Sequence, residues 1–422
     1  MSARAQRALD RTAAWIERFG GRPAGTDACL QTARAIQTEL KRLCGEARLE
    51  PFSTRAGAFN GFYQVDAFLY LIGLGLLWIN QPFWAGLVLT GMVSAAGLQF
   101  GWYIELYDRL YPLKACRNVT AVLEPQGEAR QQVIFSAHHD SAYVLNFLRR
   151  NQKLYGLKII IPDAFRFLGL MTAWVWLGWQ ALSGSVPPFV LPARILLLVG
   201  IYFVFTKFFL FGPEASPGAG DNLIASAILL ELAEKFADQQ VIGQSTLEHT
   251  RLIFASFDAE EAGLRGSRAW VKAHRAELQS LPAYALNFDS IYRAEDVQFL
   301  LSDLNSHVKL DHGLAEQCRR IAGEVGIGAG LAVMRFGGGG TDAAELTRAG
   351  VHATTMLGMS TRVVRDGLVY HTLGDTVGAI EPEAVEACLG VAERLARELD
   401  NRIGQWMESK SFLSDMMAPP LN

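Results

Sequence analysis

Charge is scarce in this sequence. Asp, Glu, Lys and Arg make up 19% of 422 residues, and 39 basic against 42 acidic side chains leave a net charge of −3. Without a basic excess, no overall field draws the chain to nucleic acid. Cysteine is also sparse. The five cysteines, at 29, 44, 116, 318 and 388, form no CxxC pair and are odd in number. That pattern argues against a disulfide framework and against a cysteine zinc site, and a reducing compartment is the expectation. Residues 1–50 hold no long apolar run, so no export signal is expected there. Internal repeats and low-complexity tracts are missing too. With 50% hydrophobic residues, the chain is not a disordered one.

What the sequence does have is an apolar surplus in two places. Residues 67–104 carry no charge and divide at Asn80-Gln81-Pro82, a turn signal. A second block runs from Phe167, is broken at 183–188, and continues past Arg194 to Lys207. Each block reads as a helical hairpin, the first over 59–103 and the second over 165–212. A span needs about 20 residues. Residues 83–103 meet this, whereas the runs 67–79 and 195–206 fall short unless the helices extend beyond them. Trp78, Trp84, Trp102, Trp174, Trp176 and Trp179 fall in these blocks, several near segment ends, as in an interfacial belt. Transmembrane helices are therefore expected over buried core helices.

The remainder alternates strand and helix. Amphipathic helices are predicted at 4–19 and 26–43, the second capped by Thr26. Strands are predicted at 48–52, 118–123, 132–137, 250–257 and 283–288. Further helices are predicted at 222–237, 262–278, 308–325 and 381–402. This is an α/β pattern with a mixed, largely parallel central sheet flanked by helices. Residues 1–58, 104–164 and 213–410 would form one discontinuous body, followed by a frayed tail at 411–422.

Chemistry-bearing residues fall at the strand ends of that body. His138 and Asp140 form an H-x-D pair after 132–137, and alternation puts them on one face. Asp221 opens a helix in GAGDNLIAS. Glu260 and Glu261 follow the strand 250–257, where two adjacent carboxylates suggest a cation or a raised pKa. Asp289 ends the strand 283–288, and YHTLGDT presents His371 and Asp375. Each motif alone also reads as an ordinary cap or surface pair. Together, two imidazoles and several carboxylates at the junctions of one sheet suit divalent ions, zinc above all.

In this ordered set the sequence resembles the co-catalytic di-zinc aminopeptidases and carboxypeptidases. Its elements are His138-His139-Asp140, Gly218-Ala219-Gly220-Asp221, Glu260-Glu261, Asp289 and His371. The opening FGGRPAGTDACLQTARAIQTEL (19–40) and the late loop FGGGGTDAAEL (336–346) are similar to that family as well. The resemblance implies a zinc-exopeptidase fold and two Zn2+ ions. It implies His138 with Glu261 or Asp289 as terminal ligands and His371 on the other ion. Asp221 would bridge, Glu260 would be the general base, and Asp140 would orient His138. A cis peptide after Asp221 is common in the family. One departure is the long stretch between His138 and Asp221, which holds the second hairpin; the first hairpin interrupts the N-terminal strand region.

The expected function is a membrane-associated exopeptidase, most readily an aminopeptidase acting on peptides. The alternatives are a glutaminyl-cyclase-like acyltransferase with a single zinc and a non-enzymatic receptor or scaffold. The expected location is a bacterial-type inner membrane, crossed several times, with the catalytic body on the cytoplasmic side. Tyr370 is a candidate oxyanion donor. Arg362 and Arg365 are weaker candidates for binding a substrate carboxylate.

Overall fold

The N-terminal helices form where periodicity and capping predict them. In the structure, a computed structural model describing residues 2–241, 247–360 and 362–417, helices run over Ala3–Phe19 and Asp27–Cys44. Thr26 Oγ1 accepts the Cys29 N–H at 3.3 Å, which caps the second helix.

Eleven strands follow among the described residues. They are β1 (Ala47–Thr54), β2 (Lys114–Leu123), β3 (Gln131–His138), β4 (Tyr143–Leu145), β5 (Phe211–Ala215), β6 (Thr250–Phe257), β7 (Ala283–Ile291), β8 (Val297–Asp303), β9 (Val308–Lys309), β10 (Gly330–Val333) and β11 (His352–Gly358). Nine make one sheet in the order β1-β2-β6-β3-β7-β11-β8-β10, with β9 beside β8, while β4 and β5 pair separately. The central run β6-β3-β7-β11 is parallel, and β1, β2 and β8 join antiparallel. Every residue of β3 is buried, as expected for a strand covered on both faces. The helix Ile224–Val241 packs on one face of the sheet with the two N-terminal helices and the long C-terminal helix, and their apolar side chains make the main core. The expected α/β architecture is therefore present, with six strands (β4, β5 and β8 to β11) beyond those predicted.

Three segments differ from expectation. The 262–278 helix begins only at Arg265 and breaks at His274, because residues 259–264 form a turn with positive φ at Ala259, Gly263 and Leu264. The 308–325 segment opens as β9, and its helix starts at His312 under the cap of Asp311, whose Oδ1 accepts the Leu314 N–H at 2.8 Å. The tail is helical further than expected. The last helix runs Pro382–Met417, past Ser411, and residues 418–422 lie outside the described residues.

The apolar blocks fold as two helical hairpins, Gly57–Trp78 with Pro82–Gly101 and Tyr155–Ser183 with Val190–Thr206. All four helices are long and apolar enough to cross a membrane; the second matches the run that marked it, and the other three extend beyond theirs. The four pack in a ring. Tyr70, Leu74, Leu89, Met92, Trp176 and Leu197 fill its interior. Outward-facing Phe68, Ile72, Trp84, Leu182 and Tyr202 are exposed. At the end nearest the sheet, a charged cluster ties the hairpins together. Arg166 pairs with Asp66, and with Asp163 at 2.8 Å; Lys207 reaches Asp163 at 2.6 Å; the Tyr107 hydroxyl donates to Asp66 at 2.8 Å.

Candidate metal centre

Parallel pairing of β6, β3 and β7 brings three chemically loaded strand ends to one edge. His138 is the last residue of β3 and lies beside Phe257, the last of β6. Glu260 and Glu261 follow in the turn after β6, and Asp289 lies near the end of β7. This is the carboxyl edge, where open α/β sheets hold their ligands. The other two residues come from connections. Asp221 sits in a kinked turn ahead of the helix Ile224–Val241, and the Asp221–Asn222 peptide is cis. His371 lies in a loop with φ at 51°.

The side chains of all six candidate ligand and base residues converge. His371 Nε2 is 2.9 Å from Asp221 Oδ2 and 2.9 Å from Glu261 Oε1. On the other side of Asp221, His138 Nε2 is 3.4 Å from Asp221 Oδ1 and 3.7 Å from Glu260 Oε2. His138, Glu260 and Asp289 form one group whose donor atoms lie within 4.8 Å of one another, and His138, Asp221 and Glu261 form another. Asp221 thus stands between two imidazoles, each with further carboxylates around it.

These close atoms are not hydrogen-bonded. His138 Nε2, His371 Nε2, Asp221 Oδ2 and Glu261 Oε1 are buried without a hydrogen-bond partner. Buried polar atoms are normally satisfied. Atoms this close and unaligned face shared points rather than each other, which is how metal ligands are arranged. Electrostatics agree. Burial pushes Glu260 and Asp289 well above the ordinary carboxylate range and Glu261 up to about 7. Burial opposes charge on the imidazoles, but Glu260 raises His138 well above its usual value and Glu261 brings His371 to about 10. Burial alone would raise Asp221 too, yet the two flanking histidines hold it below the usual range. Carboxylates outnumber the imidazoles in this buried space, and cations would balance them. The donor set, imidazole nitrogen and carboxylate oxygen without sulfur, fits zinc.

A second layer fixes these candidate ligands. Asp140 is fully buried; its Oδ1 accepts the Glu260 N–H at 3.1 Å, its Oδ2 accepts the Glu261 N–H at 3.2 Å, and Oδ1 lies 3.3 Å from His138 Nδ1. It therefore holds both glutamates as well as the histidine. Asp375 accepts the Gly220 N–H at 2.8 Å and the Asp221 N–H at 3.3 Å. Gly220 has no room for a side chain, since a Cβ there would lie 2.2 Å from the Tyr292 ring. Ser290 Oγ reaches both Asp289 at 2.9 Å and Asp221 at 3.4 Å. Tyr370 stacks on His371 with ring centroids 3.7 Å apart. Arg362 is exposed and pairs with Asp366 at 3.7 Å, while the side chain of Arg365 lies outside the described residues.

Arg22 and Asp342 were not assigned roles from sequence. Arg22 is fully buried and donates to the carbonyls of Gly20, His139, Pro217 and Gly218, clamping the loops behind His138 and Asp221. Its signal in the sequence was an arginine set among small residues in FGGRPAG. Asp342 is fully buried, and burial raises it to about 7.

The model of peptidase family M28 matches residues 204–396, a segment that carries Asp221, Glu260, Glu261, Asp289 and His371. Comparison with curated proteins finds no match. Among solved structures, the chain is similar to a Zn-dependent exopeptidase from Parabacteroides distasonis (14% identity, TM-score 0.55, covering 93% of this chain and 97% of that one). It is similar to a zinc aminopeptidase from Bacillus subtilis (14% identity, TM-score 0.52, covering 94% and 95%). A glutaminyl cyclase from Fimbriiglobus ruber shares the fold as well (13% identity, TM-score 0.51, covering 93% and 94%). The sequence match and the zinc-exopeptidase fold together support a co-catalytic zinc metallopeptidase family for this chain.

Proposed function

We propose that this chain is a membrane-embedded, co-catalytic di-zinc aminopeptidase. The observation that carries the reading is the position of Asp221 between His138 and His371, with unpartnered ligand atoms on both sides. One ion would be held by His138, Asp221 and Asp289, the other by Asp221, Glu261 and His371. Bound there, such ions polarise a scissile carbonyl and lower the pKa of an attacking water.

The chain's own residues do the rest. Glu260 is the nearby carboxylate left outside both ligand sets. Its Oε2 accepts the proton of the water and returns it to the leaving amine. Asp140 holds Glu260 through its backbone N–H, and through His138 Nδ1 it orients one ligand ring. Tyr370, stacked against His371, supplies a hydroxyl toward the developing oxyanion.

A second reading is a glutaminyl-cyclase-like acyltransferase using one zinc, since solved glutaminyl cyclases share the fold. A histidine on each side of Asp221 favours two ions over one. The test pairs a metal count with products. The purified chain, loaded with zinc and incubated with aminoacyl anilides and with N-terminal glutaminyl peptides, is expected to hold two ions at this centre and to release free amino acid. Cyclised product without amino acid release would overturn the aminopeptidase reading.

Membrane embedding rests on the four helices and on their outward apolar side chains. The helices of 20 residues and more reach about 30 Å, the thickness of a bilayer core. Orientation rests on the basic residues. Arg55, Arg109, Lys114, Arg149, Arg150, Lys153, Lys158, Arg166 and Lys207 lie toward the peptidase side, whereas the far connections hold no basic residue and the helix ends beside them only Arg194. Positive residues stay on the cytoplasmic side, so the catalytic body faces the cytoplasm. A cysteine introduced at 183–188 should react with an impermeant thiol reagent added to intact cells. Labelling of a cysteine in the catalytic body instead would overturn the orientation.

A further inference from the structure

Next to the metal centre, a second set of ligand-type side chains meets in the core. Cys29 comes from the helix Asp27–Cys44, Cys116 from β2, His139 from the residue after β3, and Asp258 from the residue after β6. None is more than 1% exposed. One ligand atom from each of Cys29, His139 and Asp258 lies within 4.8 Å of the others. The Cys116 thiol interacts with the same Asp258 carboxyl as the Cys29 thiol does. His138 and His139 are adjacent, but alternation along the strand turns them to opposite faces, so His139 is withheld from the co-catalytic pair.

Two of these groups are half-satisfied in a way that points to a ligand. His139 Nδ1 is 2.9 Å from Ser256 Oγ, while Nε2 is buried with no partner. Asp258 Oδ2 accepts the Arg117 N–H at 2.9 Å, while Oδ1 is buried with no partner. A metal-bound histidine usually has its other ring nitrogen tied to a protein group, and ligating carboxylates are likewise anchored.

We propose that Cys29, Cys116, His139 and Asp258 form a closed, structural zinc site separate from the co-catalytic centre. Two sulfurs, one nitrogen and one oxygen make a tetrahedral set suited to zinc. Ligand atoms of one such ion lie about 3.4–3.8 Å apart, given its usual bond lengths, so Cys29, His139 and Asp258, within 4.8 Å of one another, would draw inward around it and Cys116 would close the set. The ion would tie the opening helix to β2, to β3 beside His138, and to the turn that carries Glu260. The absence of a CxxC spacing does not bear on it, because each ligand comes from a different element.

The competing account is that both thiols simply hydrogen-bond to Asp258. Sulfur separates the two, since the co-catalytic donor set contains none. In the zinc-loaded full chain in detergent, X-ray absorption should show zinc–sulfur scattering at about 2.3 Å. Cobalt substitution should give a sulfur-to-cobalt charge-transfer band in the near ultraviolet. The double variant Cys29→Ser, Cys116→Ser should lose that band and one zinc per chain. Only nitrogen and oxygen scattering from fully loaded wild-type protein would overturn the proposal. So would a sulfur signal that survives the double substitution. The wild-type measurement stands even where the variant fails to fold. It is also independent of hydrolysis, so an inactive protein with a sulfur signal would sink the peptidase reading and leave this site in place.

Discussion

Asp140 is where the arrangement is most exposed to test. Its two carboxylate oxygens accept the backbone N–H groups of Glu260 and Glu261 at 3.1 and 3.2 Å, and one of them also lies 3.3 Å from His138 Nδ1. Asp140→Asn keeps the shape and removes the charge. The amide then offers one acceptor and one donor, so in either orientation one glutamate N–H faces an NH2 group in a fully buried position. A hydrogen bond to a charged group contributes about 1.5–3 kcal/mol, and a stranded buried donor costs about 1–3 kcal/mol. The metal-free variant should therefore be destabilised by about 3 kcal/mol, read as a lower unfolding midpoint in detergent. Second-layer substitutions of this kind typically cost 10–100-fold in metal affinity or activity. Titration against a competing chelator should show zinc affinity falling by about that factor, with turnover falling alongside. Unchanged affinity and turnover in a folded Asp140→Asn protein would refute the claim that this carboxylate positions the ligands.

Other perturbations probe other parts of the molecule. Glu260→Gln should keep its metal and lose about 10²–10⁴ in rate, whereas Glu261→Gln should lose metal at the His371 side; metal analysis with kinetics checks the pair, and the opposite pattern refutes the assignment. Arg166→Leu strands Asp66 in the hairpin cluster, which should cost about 3–5 kcal/mol, and adding Asp66→Leu should recover much of the lost thermal stability. His274 lies 2.9 Å from both Glu50 and Glu277, and although burial opposes its charge the two glutamates raise its pKa. Its stabilising effect should be full below the unfolded value of about 6.5 and vanish as pH rises through the raised folded value. The stability gap between wild type and His274→Gln, followed by thermal melts, should close over that window.

The candidate ligands His138, Asp221, Glu261 and Asp289 could be picked out from sequence because they sit at or just after the end of a clear apolar strand or near a helix start, where pattern and chemistry coincide, whereas His371, in a loop, was marked only by its place in the ordered motif set. The strands β8, β10 and β11 were not picked out. β10 is only Gly330–Val333, too short for alternation to register, and β11 carries threonines and small residues that are buried by pairing with β7 and β8 rather than by hydrophobicity. Asp140 was read as a partner of His138 alone. Its bonds to the Glu260 and Glu261 backbone arise from parallel neighbours β3 and β6, a proximity that no local pattern encodes. Arg22 escaped for the same reason, since the carbonyls that it holds come from residues 20, 139, 217 and 218.

The first hairpin is joined to the site more closely than an inserted anchor requires. Phe59, at its root, packs on Gly263, where a Cβ would lie 2.9 Å from the Phe59 ring. Tyr103, just past its other root, stacks edge-on against Phe59 at 4.9 Å and is buried within electrostatic reach of Glu260. Both roots therefore pack around the turn that carries Glu260 and Glu261. The glycine-rich loop leans on the same hairpin. Phe336 meets Phe100 at 6.4 Å, and Asn305 donates to the Phe100 carbonyl at 2.9 Å while accepting the Gly337 N–H at 2.9 Å. A helix pair whose only task was attachment would need one flexible junction. Here the end of the second helix is bonded to a loop of the catalytic body, and the glutamate turn is enclosed between both roots. The turn itself, with positive φ at Ala259, Gly263 and Leu264, is closed by its own backbone bonds from Gly263 and Leu264 to the Glu260 carbonyl at 2.8 Å, so the apolar hairpin packs on a turn of fixed shape at the edge that carries Glu260 and Glu261.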